Sequence, residues 1–437
     1  MGYRAVLGVI RLLLWLFYRR IDIVGAERIP PSGPLLVAAN HHNSVVDAML
    51  VLGKFPRRVT VLANAPLFRH PLIGPFLRTI GAVPVHRRAE AGDDPRKNDA
   101  MFATVITALR AGGAILIFPE GRTQPRPTLL PLRTGAARIL LGAETGEQRD
   151  GTVLLPVGLV FERPGIFRDG SAIVTVGKPV AIDDCVAEYA SAPEAAARRL
   201  TDRLAEALRA EIIEAEDQHT VELLGVLEGV VRRAGGLPAQ ADAGESLAWR
   251  RRVMQAAREL VMQSPDRVGD FRRRLERYRE RLEETGLSDE DLGRPYTAGV
   301  VLRWVVTNAA SLAMSLPLAI VGMVLHAVPY LLTGVVVRRL RATAEEEATD
   351  KMAVGLLLYP ASWVVESWLA WRSAGGPGLA MLLVLLVPSG LVALAWRARL
   401  ARAARQARAF IRFVADRRLL DDLVAEREAL AHDVARL

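Results

Sequence analysis

The chain has 437 residues, 57 Lys and Arg against 48 Asp and Glu (net charge +9), 51% hydrophobic residues and a single cysteine. At ~150 residues per domain as a soft prior, this is room for one enzyme-sized domain and a second region of comparable length. One cysteine, Cys185, excludes an internal disulfide and a cysteine-based zinc site. The positive charge comes without a groove-reading motif, which argues against nucleic acid as a partner and for anionic lipid headgroups and an anionic substrate.

The first apolar stretch, Ala5 to Tyr18, is broken by Arg11, ended by Arg19 and Arg20, too short to span a bilayer comfortably and without a small-residue cleavage site. It predicts an interfacial anchoring helix within residues 1–20, which would bring the following domain to a lipid surface.

Gly33 to Asn40 is a short apolar run suited to a buried strand, and Ala48 to Leu52 suits a helix. Between them lies Asn40-His41-His42-Asn43-Ser44-Val45-Val46-Asp47. On a strand-to-helix turn the free N–H groups favour anions, and a neutral imidazole can face a cleft while a carboxylate takes its other N–H. On this reading His42 is the general base and Asp47 its orienter. Alone, the spacing is better explained as a loop with an N-cap. His41 and His42 lack the spaced partners that a metal site needs.

Ile80 to Val85 predicts a strand that delivers Arg87 to the same sheet edge, where a guanidinium could fork onto an anion. The alternative is a solvated Arg87-Arg88 pair opening the polar loop to Asp99. Ala114 to Gly121 predicts another strand, with Glu120 at its edge and Gly121 allowing a sharp turn or close approach. Val153 to Phe161 predicts a strand in which Pro156 shapes the backbone. Gly177-Lys-Pro179 closes a further strand, and Leu200, Leu204, Leu208 and Ile212 stripe a helix over 194–216.

Four blocks occur in order: the octet at 40–47, Gly81-Ala-Val-Pro-Val-His-Arg87, Phe118-Pro-Glu-Gly-Arg122 and Leu154-Leu-Pro-Val-Gly158. Together they resemble the phospholipid/glycerol acyltransferase family over about residues 20 to 215, a domain-sized length. Within that family the first block is most similar to the membrane-bound branch acting on glycerol-3-phosphate or dihydroxyacetone phosphate. The resemblance implies His42 and Asp47 as catalytic residues and Arg87, Glu120, Gly121 and Arg122 as acceptor-binding residues. The family pattern places a hydroxyl residue before the arginine of the third block, whereas here Arg122 precedes Thr123, so Arg122 departs from it. The implied reaction moves a fatty acyl group from a thioester of coenzyme A or acyl carrier protein to a hydroxyl of glycerol-3-phosphate or 1-acylglycerol-3-phosphate, with no metal and no further cofactor. Two other readings stay open: a different lysophospholipid acceptor, and a membrane scaffold carrying a relic enzyme domain.

Residues 217–297 are rich in Arg, Glu and Leu and predict helices punctuated at Gly235 to Pro238 and at Ser264-Pro265. From Trp304 to Val337 there is no charged residue, and a straight helix of that length would overrun a ~30 Å hydrocarbon core. Pro317 and Pro329 mark where it would bend or break, giving either one long kinked span or a hairpin that dips in and back. Met352 to Trp371, interrupted by Glu366, and Leu379 to Trp396 predict a membrane hairpin turning at Ser373 to Gly378. Arginines flank each segment: Arg294 and Arg303, then Arg338, Arg339, Arg341 and Lys351, then Arg397, Arg399, Arg402, Arg405 and Arg408. If every cluster is cytoplasmic, the first segment returns to its starting side and the enzyme domain faces the cytoplasm.

The expected architecture is an α/β domain with a mixed sheet flanked by helices, followed by an all-α region and a C-terminal transmembrane bundle. Its parts are an anchor helix (1–20), the catalytic domain (21–216), a helical region (217–297), membrane-embedded helices (298–400) and a helical cytoplasmic tail (401–437). In the tail, Leu419, Leu423, Leu430 and Val434 suit packing on the protein's own helices, with pairing to a second copy left open.

Overall fold

β2 (Leu35–Ala39) is buried along its whole length, as a parallel strand covered on both faces must be. Its side chains alternate between two cores, Leu35, Val37 and Ala39 entering one and Leu36 and Ala38 the other. The computed structural model describes residues 2–435 apart from 70–72, 86–94, 146–150, 164–165, 169, 239, 288, 290–291, 293–297, 341–346 and 416.

Around β2 a seven-stranded sheet is built from β1 (Arg20–Val24), β3 (Thr60–Asn64), β4 (Val83–Val85), β5 (Ala114–Ile117), β6 (Val153–Glu162) and β7 (Ser171–Val176), in the order β1-β7-β6-β2-β5-β3-β4. All neighbours are parallel except β6 and β7. The sheet is therefore mixed, as the sequence suggested. α1 (Gly2–Phe17), α2 (Ser44–Lys54) and α3 (Ile73–Ile80) cover one face. α4 (Pro95–Arg110), α5 (Gly135–Glu144), α6 (Asp183–Tyr189) and α7 (Pro193–Arg209) cover the other. The leucine stripe on α7 is core: Leu200, Leu204 and Leu208 are buried, and so is Ile212 beyond the helix end.

Two adjacent strands send the chain in opposite directions. From β2 it passes through α2 to β3 on one side; from β5 it passes through α5 to β6 on the other. Connections that diverge in this way leave a crevice outside the carboxyl ends of the two strands, the usual ligand position in an open α/β sheet.

α1 buries Ile10, Leu14 and Phe17 in the first core while Leu12 and Trp15 stay 52% and 53% exposed. A loop is fastened to its end: Arg168 N–H donates to Phe17 O at 2.7 Å, Arg19 N–H donates to Gly170 O at 2.9 Å, and the Arg168 guanidinium lies 5.5 Å from the Trp15 ring centre. Ile166 and Phe167 of that loop are exposed too.

The chain divides into two compact units, and neither is contiguous in sequence. The first comprises Met1–Glu222, Asp242–Met254 and Ala342–Met352; the second comprises Leu223–Ala241, Gln255–Arg341 and Ala353–Leu437. Ala348 and Met352 belong to the first core, beside residues of α1 and α2.

The second unit is helical, drawing on α8 (Gln218–Arg233), α9 (Ala243–Gln263), α10 (Pro265–Thr285), α11 (Ala298–Leu340), α12 (Glu347–Ala415) and α13 (Arg417–Val434). Ser264 caps α10, with Pro265 in its first turn where a missing N–H costs nothing. The first apolar segment does not fold back into a hairpin. Of the two expected forms, one long span and a hairpin, α11 takes the first: a continuous helix of 43 residues with Pro317 and Pro329 inside it. Each proline deletes one N–H and crowds one turn, and the intact turns on either side carry the helix through. α12 does break, at Gly375 (φ 62°, ψ −151°), within the turn expected at Ser373 to Gly378. Val301–Leu340 and Glu347–Arg408 are both long and apolar enough to cross a membrane.

Within this unit α11 and the later arm of α12 approach closely. A side chain at Gly322 would collide with the Ser389 carbonyl, Trp396 Nε1 donates to Leu312 O at 3.0 Å, and Trp304 Nε1 donates to Gln406 Oε1 at 2.6 Å. α13 pairs with α10 through Arg281–Glu426 at 2.6 Å and Arg274–Asp433, burying Leu423 and Leu430.

Candidate active site

Four residues turn the chain from β2 into α2. Asn40 prolongs the strand with its side chain: Nδ2 donates to Leu159 O at 3.0 Å and Oδ1 accepts from Leu159 N–H at 2.7 Å. Because Ala39 stands opposite Val157 on β6, the Asn40 amide supplies the next rung of the ladder. Ser44 then takes φ 47°, a left-handed conformation that costs a non-glycine residue of order 1–3 kcal/mol.

The turn is held from inside by Asp47, which is fully buried in the first turns of α2. Its Oδ2 accepts from His41 Nδ1 at 2.8 Å, His42 N–H at 2.8 Å and Asn43 N–H at 2.7 Å. The imidazole that meets the carboxylate is thus His41, six residues before it. His42, the residue read from the sequence as the base, meets Asp47 with its backbone amide.

The two rings have different surroundings. His41 stacks on Phe118 with ring centres 4.1 Å apart, and with Nδ1–H given to Asp47 its Nε2 carries the lone pair. The His42 ring lies against Phe161, donates Nδ1–H to Arg126 O at 3.1 Å and has Gln218 beside it. Burial pushes the His42 pKa below the ordinary imidazole value, against the opposing pull of Asp47 and the Arg126 carbonyl.

Glu120, three residues beyond β5, crosses to the same turn. Its Oε1 accepts from His41 N–H at 2.7 Å and its Oε2 from Leu130 N–H at 3.0 Å. Gln124 N–H donates to His41 O at 3.2 Å, so the loop from 118 to 133 grips both backbone groups of His41. Desolvation pushes the Glu120 pKa up to about 7, although both backbone amides favour its charged form.

Gly121 has φ 72° and Arg122 is exposed next to it. Asn40, His41, His42, Glu120, Thr128 and Phe161 line one small groove; a second cavity of ≈ 230 Å³ shares His42 and is walled by Asn43, Pro125, Ile166 and Gln218. Arg87 lies outside the described residues. β4, which ends at Val85, is parallel to its neighbour, so its carboxyl end opens on the same edge as that of β2. Pro156 is in β6, paired with Ala38 of β2. Sequence reasoning did not reach the His41 ring contact, the Asn40 pairing or the amide of Leu130. The two adjacent histidines were the visible sign in the sequence that two rings compete for the carboxylate.

Residues 20–160 match the family model described as Acyltransferase. Glycerol-3-phosphate O-acyltransferase 2 of Saccharomyces cerevisiae is 29% identical over 29% of this chain and 17% of its own length. The 1-acyl-sn-glycerol-3-phosphate acyltransferase of Borreliella burgdorferi is 28% identical over 38% of this chain and 62% of its own. The chain therefore spans less than two thirds of either relative. The crystal structure of the 1-acyl-sn-glycerophosphate acyltransferase PlsC from Thermotoga maritima is 20% identical, with a TM-score of 0.34, over 48% of this chain and 78% of that one. The chain carries an acyltransferase domain, and its homologues are glycerol-3-phosphate and 1-acylglycerol-3-phosphate acyltransferases.

Proposed function

We propose that this protein is a membrane-bound O-acyltransferase of phospholipid biosynthesis. It transfers a fatty acyl group from a thioester of coenzyme A or acyl carrier protein to a hydroxyl of glycerol-3-phosphate or 1-acylglycerol-3-phosphate. The observation that carries this reading is the buried carboxylate of Asp47 on His41 Nδ1, with His41 Nε2 free to take a proton.

A neutral hydroxyl attacks a thioester slowly, and a positioned base contributes about 10²- to 10⁴-fold. In this scheme His41 Nε2 removes the acceptor hydroxyl proton as its oxygen bonds to the thioester carbonyl carbon. Asp47 stabilises the resulting imidazolium. The tetrahedral intermediate then expels the thiolate by breaking the C–S bond, and His41 returns the proton to sulfur. No acyl-enzyme, metal or other cofactor enters. We assign the base to His41 over His42 because His42 lacks a carboxylate on its ring and burial disfavours its charged form. Glu120 is a positioning residue on this account, with both oxygens on backbone amides. Arg87 and Arg122 are cations for the acceptor phosphate.

Membrane attachment is supported by α11 and α12, whose apolar side chains face outward: Met314 is 83% exposed, Val384 71%, Val364 69% and Val324 68%. Such a surface is costly in water and ordinary in lipid. The arginines from Arg397 to Arg408 favour a cytoplasmic side for the end of α12, and we place the catalytic unit on the same side.

The test is acyl transfer by detergent-solubilised protein, with labelled acyl-coenzyme A or acyl carrier protein and each acceptor offered separately, comparing wild type, His41→Ala and His42→Ala. Product with a glycerol phosphate, lost in His41→Ala and retained at least in part in His42→Ala, is the expected result. The reverse order moves the base to His42. Product only with another lysophospholipid changes the acceptor, and no product with either donor turns the reading toward a scaffold.

A further inference from the structure

Gly121 adjoins an arginine that the motifs do not include. A Cβ at Gly121 would stand 2.7 Å from Arg133 Nε and 2.9 Å from its Cδ, so the Arg133 side chain lies directly on the turn that carries Glu120. The backbone there is fixed: Arg133 N–H donates to Pro119 O at 2.8 Å and Leu130 N–H donates to Glu120 Oε2 at 3.0 Å. Through its other oxygen Glu120 holds the His41 amide. Arg133 is thus attached, by way of one turn, to the residue bearing the base.

Among the described residues the Arg133 guanidinium meets no carboxylate and no hydrogen-bond acceptor, and Glu120, the acid of that turn, has both oxygens on backbone amides. Arg122 stands on the same turn, exposed like Arg133. Two exposed guanidiniums on one turn, with Arg122 also feeling the Glu120 carboxylate, form a positive patch suited to forked contacts with a phosphate.

We infer that Arg133 is a phosphate-binding residue which, with Arg122, receives the phosphomonoester of the acyl acceptor; this rests on the acyl-transfer reading above. Gly121 then has two reasons to lack a side chain, its positive φ and the clearance Arg133 needs.

The test uses the full chain in detergent, with Arg133→Met, Arg133→Lys and Gly121→Ala beside wild type and thermal melts to check folding. Acceptor and donor concentrations are varied independently, and binding of inorganic phosphate and of glycerol-3-phosphate is measured by calorimetry. Loss of a charge-assisted contact in Arg133→Met is expected to raise the acceptor KM about 10- to 100-fold, equally for glycerol-3-phosphate and its 1-acyl derivative. The donor KM stays within twofold, phosphate binding weakens in parallel, and Arg133→Lys and Gly121→Ala fall between. An unchanged acceptor KM overturns the inference. So does a rise in donor KM seen with acyl-coenzyme A and not with acyl carrier protein, which would assign the site to a phosphate of the coenzyme. If wild type transfers no acyl group to any glycerol phosphate, the proposed function fails. The site then stands or falls on phosphate binding alone: weaker binding in Arg133→Met upholds it and equal binding refutes it.

Discussion

One oxygen of Asp47 collects an imidazole and two amides, so a single atom both shapes the turn and orients the His41 ring. Asp47→Asn puts a donor or a weaker acceptor among three donors. We expect kcat to fall by about 10²- to 10⁴-fold and stability by about 1–3 kcal/mol as the buried amides lose their partner; steady-state kinetics and a urea titration on the same preparation separate the two effects. Glu120 has a signed pH dependence. Its carboxyl, raised from 4.5 to about 7, binds its proton more tightly in the folded than in the unfolded state. Its contribution to stability is therefore complete below about pH 4.5 and lost as pH rises through about 7. Urea midpoints measured across that window should fall more steeply with pH in wild type than in Glu120→Gln; parallel curves would mean that Glu120 titrates normally. The sequence drew attention to His42, Asp47 and Glu120, which the structure brings to one turn, but their wiring was not legible in it. Spacings of five and six residues to Asp47 differ by one position, and the turn that sets His41 against Asp47 includes the left-handed Ser44 and a contact from Glu120, 79 positions along the chain, to the His41 amide. No local pattern carries that information.

Among the elements, short apolar runs located β2, β4, β5 and β6 and a leucine stripe located α7, because β2 and β6 are buried along nearly their whole length and α7 buries one face, whereas β1, β3, α3, α4 and α6 were not legible in the sequence. The apolar helices taught a different lesson. Proline and glycine both signalled breaks, and only the glycine broke. Proline's fixed φ near −65° is already helical, so Pro317 and Pro329 cost α11 one hydrogen bond each, whereas Gly375 adopts φ 62° and ψ −151°, outside any right-handed helix. The outer side of α1 yields a test of interfacial contact. With Leu12→Cys labelled by a fluorophore in a Cys185→Ser background, reconstitution into anionic vesicles should shield the label from aqueous iodide. A label at Glu194→Cys on α7 should remain quenched. Equal quenching at both sites would remove α1 from the interface.

For the whole molecule, the division of the sequence into an enzymatic half and a helical half does not hold in space. Ala348 is fully buried and Met352 is 6% exposed in the core that also contains Leu14, Met49 and Val157. Met352→Ala should therefore cost the catalytic unit about 2–5 kcal/mol, read as a lowered melting temperature for loss of acyl-transfer activity; a change within error would show that these residues are peripheral. The sequence offered no sign of this, since Met352 stands at the start of an apolar run and composition cannot tell a residue facing lipid from one facing a core.

That core also imposes an order on synthesis. The last strand of the sheet ends at Val176 and the last core residue is Met352, an interval of on the order of 10–35 s at ~5–20 residues per second. α11 lies inside that interval. A nascent chain must release its first long apolar helix from the ribosome before this core can close, and a chain that stalls before Met352 leaves the first unit unfinished.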